Sequence, residues 1–141
     1  MAYEESLRSI TLKADSNLAV YTGVAGMPGA PAAHGGKQYR FVKVTGVGTA
    51  GPADTTANEV VIGVLQNKPQ YVNQPATIGI SGVTLVEAGG AITAGNALKV
   101  NASGQAVAAT LPADAALVVG VALSTVTTAT HLVTALLRVK G

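Results

Sequence analysis

The sequence predicts an all-β fold: a small single-domain β-barrel or β-sandwich of antiparallel strands. Apolar residues nowhere keep the i, i+3, i+4, i+7 spacing of an amphipathic helix over three turns. Short runs of Val, Ile, Thr and Leu recur instead, and they are bounded by Gly, Pro, Asn and Asp, which favour turns. The chain of 141 residues has the length of one domain, and without cysteine it has no disulfide to stabilise it.

Nine segments are predicted as strands: Ser9–Ala14, Leu18–Thr22, Gln38–Thr45, Val60–Gln66, Ala76–Glu87, Ala97–Asn101, Ala106–Ala108, Leu117–Thr125 and Leu132–Lys140. Segments 26–36 and 46–59 are rich in Gly, Pro and Ala or in Gly, Thr and Ala, which predicts loops. The segment NASGQ at 101–105 predicts a tight hairpin turn in which Gly104 adopts a positive φ. One helical turn is expected within residues 112–116.

Two pairs of segments indicate an internal duplication. FVKVTGVG at 41–48 is similar to ALKVNASG at 97–104, and VVIGVLQ at 60–66 is similar to LVVGVAL at 117–123. The spacing between the paired segments is nearly the same in both halves, as expected for a repeated structural unit. The fold prediction therefore includes two similar β-units, with chance similarity in Val/Gly/Ala-rich sequence as the alternative.

The predicted domain organisation is an extended N-terminal arm over residues 1–14 and a single β domain over residues 15–141. The arm carries four apolar residues with charges between them: Tyr3, Leu7, Ile10 and Leu12. Two interpretations remain open. The arm is either a frayed terminus that leads into an edge strand, or a segment that becomes ordered on a partner by strand addition. The four apolar residues are the candidate contact residues of the second interpretation.

The composition predicts a surface that is covered by other protein. Charged residues make up 11% of the chain, against about 25% in an ordinary globular domain. Hydrophobic residues make up 48%, much of it alanine, and aromatic residues only 4%. Because a soluble monomer normally covers its surface with charge, this surface favours contact with further copies of the chain or with another protein.

Charge and hydropathy also exclude two partner classes. The nine basic residues are scattered without a run, whereas phosphate-backbone binding needs clustered Lys and Arg. The longest apolar stretch, Ala115–Leu123, is far too short to span a bilayer. Glu4 and Glu5 occupy the place where a secretory signal needs positive charge. We therefore expect synthesis in the cytoplasm and neither nucleic acid nor membrane as a partner.

The motifs that carry chemistry are absent or out of context. Gly46, Gly48 and Gly51 match the dinucleotide-binding spacing, but Pro52 follows and no helix is predicted to receive a pyrophosphate. Neither His34 nor His131 has a second metal ligand at a suitable spacing. The sequence therefore predicts no cofactor and no metal site.

Catalytic residues are not predicted either. The sequence contains no G-x-S-x-G nucleophile elbow, and the nearest segment, GISG at 79–82, lies inside a predicted strand. The acidic residues outside the N-terminal arm are isolated from one another: Asp15, Asp54, Glu59, Glu87 and Asp114. Asp54 and Asp114 each follow a Pro-Ala pair, which favours a carboxylate that accepts backbone amides in a turn. The protein is expected not to be an enzyme.

The second half of the chain resembles the small decoration proteins of bacteriophage heads. In that family an apolar residue and Ala-Gly-Asp/Asn precede a strand and an Asn/Asp-x-x-Gly turn. An x-Val-Gly-Val-Ala strand and a final apolar strand follow. The matching segments here are Ile92–Asn96, Leu98–Gly104 and Leu117–Leu123. The resemblance covers about residues 60–141, and the N-terminal half has no such counterpart.

The resemblance implies a capsid decoration (head cement or stabilising) protein. Such proteins lie on the outside of the virion capsid, often as homotrimers, where they bridge subunits of the major capsid protein. The implied partners are therefore the major capsid protein and two further copies of this chain, with Tyr3, Leu7, Ile10 and Leu12 as the expected capsid-contact residues. The family implies no catalytic residues.

Three other functions remain open at this point. A tail-tube or fibre-base subunit would share the composition but would stack without closure. A trimeric β-barrel enzyme with active sites between subunits would need a clustered acid and base. A carbohydrate-binding module would need exposed aromatic platforms, and the chain has no Trp and four Tyr.

Overall fold

The computed structural model describes residues 7–27, 29–31, 37–54 and 60–138. These residues form an all-β structure, as predicted, with one short 3-10 helix at Ala115–Leu117. The strands are β1 (Arg8–Ala14), β2 (Phe41–Gly46), β3 (Thr49–Pro52), β4 (Val61–Leu65), β5 (Pro75–Glu87), β6 (Ala97–Val100), β7 (Ala106–Ala108), β8 (Gly120–Ala122) and β9 (Leu132–Leu137).

The first five strands close a small barrel, which we call unit one. β2 pairs antiparallel with both β3 and β4, and β4 pairs antiparallel with the first part of β5. β1 closes the barrel because it pairs parallel with β3 and antiparallel with β5.

The second part of β5 begins a second unit, which we call unit two. Strands β5, β9, β8, β6 and β7 pair in that order, and all these pairings are antiparallel. A parallel bridge between Ala88 and Ala106 joins the end of β5 to β7 and completes the circuit. β5 changes partners at Gly82, whose φ of 105° is readily accessible only to glycine.

The two units have the same topology and the same register, which confirms the prediction of two similar β-units. Val42 pairs with Gly63 in unit one, and Leu98 pairs with Gly120 at the corresponding place in unit two. Even an irregular feature is repeated: a non-glycine residue with positive φ precedes the last strand of each unit, Asn73 in one and Thr130 in the other. Segments 41–48 and 97–104 are therefore structural counterparts.

The apolar cores follow the same duplication. The core of unit one contains Leu18, Val42 and Ile78, and the corresponding residues Ile92, Leu98 and Ala135 lie in the core of unit two. The core of unit two also includes residues from the outer face of unit one: Phe41, Ala53 and Val64. Unit two thus covers part of the outer surface of unit one, and the units share a buried apolar contact.

Several element boundaries differ from the predictions. Leu18–Thr22 is not a strand, because the Asp15 carboxylate accepts the amides of Asn17 and Leu18, each at 2.9 Å, and holds a turn there. The predicted loop at 46–59 contains β3, which forms between β1 and β2. The strand predicted at Leu117–Thr125 is reduced to β8, and the helical turn expected within 112–116 begins at Ala115.

The expected N-terminal arm is in part a strand of unit one. Residues 8–14 form β1, whose residues Arg8 to Lys13 pair with β5. Residues 1–6 lie outside the described part of the chain. β1 ends at Ala14, so the expected arm includes the whole of this strand. The division into an arm at 1–14 and a domain at 15–141 stays a prediction.

Candidate interaction surface

The four predicted contact residues have different environments. Leu7 is half-buried and packs against the core of unit two, and Leu12 packs against the core of unit one. Ile10 is 40% exposed, although its cross-strand partner Ile78 is buried. Tyr3 lies outside the described residues. Among the three described residues, Ile10 is the one whose exposure suits contact with a partner.

The hairpin turn of unit two docks on unit one. This turn, at residues 101–105, forms as predicted, with Gly104 at a φ of 77° and the Asn101 side chain accepting the amides of Ser103 and Gln105. The Gly104 carbonyl accepts the Phe41 amide at 2.8 Å, and Arg40 Nη1 donates to the Ser103 carbonyl at 3.3 Å. These bonds hold the turn against the outer face of unit one.

The corresponding turn of unit one projects from the described structure. Val47 and Gly48 form its tip, Val47 is fully exposed, and a Cβ built at Gly48 would have no atom within 4 Å. Val44, which leads into the turn, is 55% exposed. The duplicated fold therefore contains two equivalent turns, one of them docked on a neighbouring unit and the other exposed with two valines.

The outer faces of the two units, on which such turns can dock, also differ in exposure. Phe41 and Val64 on the outer face of unit one are fully buried under unit two. Their counterparts on unit two, Ala97 and Val121, are partly exposed. One chain thus carries both halves of a second contact of the same kind, namely the turn of unit one and the outer face of unit two.

Polar groups connect the two units at their junction. Arg40 Nε donates to Glu87 Oε2, and Gln105 Nε2 donates to the same oxygen at 3.0 Å. The Glu87 amide donates to the Tyr39 carbonyl at 2.8 Å. These bonds connect three segments at the junction, namely the start of β2, the end of β5 and the hairpin turn.

A cavity of about 230 Å³ lies beside this junction. Its walls include Lys37, Arg40 and Lys43 with Asp15 and Asp54. Only 6% of Lys37 is exposed, and burial together with the nearby Arg40 lowers the pKa of its ammonium group, an effect that Asp15 partly offsets. Sequence reasoning did not single out Lys37, because it is an isolated lysine after a glycine-rich segment.

Two ion pairs repeat between the units. Lys43 contacts Asp54 at 3.1 Å, and Lys99 contacts Asp114 at 2.8 Å. The Asp114 carboxylate also accepts the Thr110 amide at 2.8 Å, as the Pro-Ala-Asp turn predicted. The bonds from Lys99 and Thr110 lower the pKa of Asp114.

The segments that resemble catalytic or cofactor-binding motifs lie in strands and turns of the described residues. Gly46 ends β2, Gly48 lies in the turn and Gly51 lies in β3, so no helix N-terminus follows this glycine-rich segment. Residues 79–82 lie inside β5, His131 is exposed, and His34 lies outside the described residues.

Two kinds of feature are absent from the described residues. No group of three or more His, Cys, Asp or Glu side chains there could hold a metal ion. Across the same ranges, no helix has the length and apolar character needed to cross a membrane.

Comparison with known proteins gives a likeness in fold. No protein-family model matches the chain, and no curated protein matches it. Among solved structures, the chain is similar to the head fibre gp8.5 N base of bacteriophage phi29. The TM-score is 0.62 and the sequence identity 20%, over 94% of this chain and 95% of that chain. The fold of the whole chain, both units included, is therefore also found in a phage head fibre.

Proposed function

We propose that this protein is a non-enzymatic structural subunit of a phage virion that binds the outer surface of the head. The likeness over nearly the whole of both chains to the head fibre N base of phage phi29 is the observation that carries this proposal. The low charge content of 11% supports it, because such a surface suits contact with other protein.

The partner in this proposal is the major capsid protein, whose neighbouring subunits the protein bridges and stabilises. The N-terminal segment supplies the contact, with Tyr3 and Ile10 reaching the capsid while Leu7 and Leu12 anchor the segment to the two cores. Many copies on one head add their individual contacts, so weak binding by each copy is sufficient for stable decoration.

The proposed form on the head is a homotrimer. The exposed turn at Val47 of one copy would dock on the outer face of unit two of the next copy, near Ala97 and Val121. This contact repeats the one that unit two already makes with unit one within the chain. A head-to-tail contact closes into a ring when the rotation between copies permits, and otherwise it continues as a filament. We propose a ring of three copies, in which each copy contributes its two units.

A pelleting assay with empty heads of the phage that encodes the chain tests the head-binding role. We expect the protein to sediment with heads at a fixed ratio to capsid subunits. Replacing Ile10 by Asp should lower this binding at least tenfold, because a carboxylate would be desolvated at the contact. Leu132→Asp is the matched control, since Leu132 is 42% exposed and Ile10 is 40% exposed. Equal binding by both variants would contradict the role of the N-terminal segment.

The second candidate is a fibre-base subunit, and the likeness to a phage head fibre N base favours it. In this role the protein also contacts the head but carries a further fibre on its distal side. A second phage protein that binds the trimer on heads but not the bare heads would favour this function over simple decoration.

A further inference from the structure

Among the described residues that line the cavity beside the junction, the Lys37 cation has no direct bond that compensates its charge. The Asp15 carboxylate accepts the Thr45 hydroxyl at 3.0 Å and two backbone amides. Asp54 pairs with Lys43, and Arg40 pairs with Glu87. Every acidic group at the cavity therefore has a partner already.

The Lys37 ammonium group forms no hydrogen bond and no ion pair with the described residues, although only 6% of the residue is exposed. The ammonium nitrogen keeps some contact with solvent, since no buried side-chain nitrogen of the described residues lacks a partner. An ammonium group that is largely shielded from water and has no acid bonded to it favours a bound anion. Asp15 is near enough to act on Lys37 at longer range, but it makes its hydrogen bonds elsewhere. Among the described residues, no acidic group therefore bonds directly to the Lys37 ammonium.

The size and lining of the cavity define what would supply that charge. About 230 Å³ is below the roughly 300–1,000 Å³ of pockets for drug-sized ligands, yet it holds a small anion together with water. Asn17 and Ser103 also line the cavity, and Arg40 and Lys43 add positive charge. Charge-assisted bonds from such groups to an oxyanion are the strong class of hydrogen bond.

We propose that this cavity binds a small oxyanion, a carboxylate or phosphate group, with Lys37 as its charged ligand. The site lies between unit one and the hairpin turn of unit two, so a bound anion connects both units. Binding of the anion to the folded state alone stabilises the protein by mass action.

Thermal unfolding tests this site. We would compare sodium phosphate, sodium acetate and sodium chloride at equal ionic strength and pH 7. Phosphate, acetate or both should raise the Tm of the wild type by about 2–4 °C at saturation. A response to acetate alone identifies a carboxylate as the ligand chemistry, and a response to phosphate alone identifies a phosphate group.

Two variants separate binding from a general salt effect. Lys37→Met should remove the shift, and in chloride it should unfold at an equal or higher temperature, because the ammonium that it replaces is partly desolvated and bonds to none of the described residues. Lys68→Met, at an exposed lysine, should keep the wild-type shift. A wild type that responds to neither anion, or a shift that persists in Lys37→Met, would overturn the proposal.

A second measurement does not depend on any variant. Titration of the wild type with phosphate and with acetate, followed by amide NMR, should shift the signals of Ala53 and Ser103, which line the cavity. Shifts confined to residues away from the cavity would also overturn the proposal.

Discussion

Arg40 and Glu87 connect the two units of the fold, with Arg40 at the entry to β2 and Glu87 at the end of β5. Both side chains are 19% exposed, so the pair is shielded from solvent on most sides. Gln105 donates to the same carboxylate oxygen, which adds the hairpin turn to the network. Because the pair joins parts of the chain 47 residues apart, it stabilises the arrangement of the units rather than either unit alone.

A double-mutant cycle on Arg40 and Glu87 measures how much their interaction contributes to the free energy of unfolding. We expect Arg40→Met and Glu87→Gln each to lower the free energy of unfolding by about 1–3 kcal/mol, since each leaves a partly buried polar partner unsatisfied. The double variant should lose less than the sum, as measured by urea denaturation. The Lys43–Asp54 pair, which is 26% and 39% exposed, is the control and should be worth about 0–1 kcal/mol. Additive effects at Arg40 and Glu87 would show that they are not coupled.

Gly82 allows β5 to serve both units. Its φ of 105° lies where residues with a Cβ are strained, so Gly82→Ala should lower the free energy of unfolding by about 1–3 kcal/mol. Gly90→Ala is the matched control, because Gly90 has no positive φ and its Cβ would meet no atom within 4 Å. Urea denaturation of both variants gives the comparison. Equal free energies of unfolding for the two variants would show that a side chain at position 82 causes no strain.

Asp114 should contribute to the acid sensitivity of unit two. Its pKa is lowered in the folded protein by Lys99 and by the Thr110 amide. A group with a depressed folded pKa stabilises the fold above its unfolded pKa of 3.8, and this stability is lost as the pH falls through the folded value. Thermal unfolding between about pH 5 and pH 2 should therefore show a shallower loss of Tm for Asp114→Asn than for the wild type. A parallel decline of the two proteins would contradict this assignment.

Val47 tests the proposed contact between copies. Because Val47 is fully exposed within one chain, Val47→Asp should leave the fold and the Tm of the monomer unchanged. It should weaken trimer formation at least about tenfold, which corresponds to ~1.4 kcal/mol. Met27→Asp, at another strongly exposed apolar residue of unit one, is the control and should remain trimeric in light scattering. A Val47→Asp protein with unchanged assembly would place the contact between copies elsewhere.

The repeat was predictable because the paired segments occupy the same positions in both units. Segments 41–48 and 97–104 include β2 and β6, and segments 60–66 and 117–123 include β4 and β8. The third strand of unit one was missed because Thr49–Pro52 contains Gly and Pro, and it becomes a strand by pairing with β1 and β2. Leu18 lies in a turn despite its apolar neighbours, because the Asp15 side chain competes for the backbone amides.

The surfaces were less predictable than the strands. The sequence pattern does not distinguish the four apolar residues of the N-terminal segment, but Leu7 and Leu12 pack on the cores and Ile10 is exposed. Lys37 gives no sequence signal, since its environment is assembled from the turn after β1, from β2 and from a turn more than 60 residues away. Contacts of this kind depend on how the units pack, which local sequence patterns do not encode.

The most direct test of the head-binding role is a cryo-electron microscopy reconstruction of heads with and without the added protein. The account predicts additional density on the outside of the capsid, in three-fold lobed units that bridge neighbouring capsid subunits and that accommodate three copies of this fold. Density confined to the tail, or heads that remain bare at saturating protein, would contradict it.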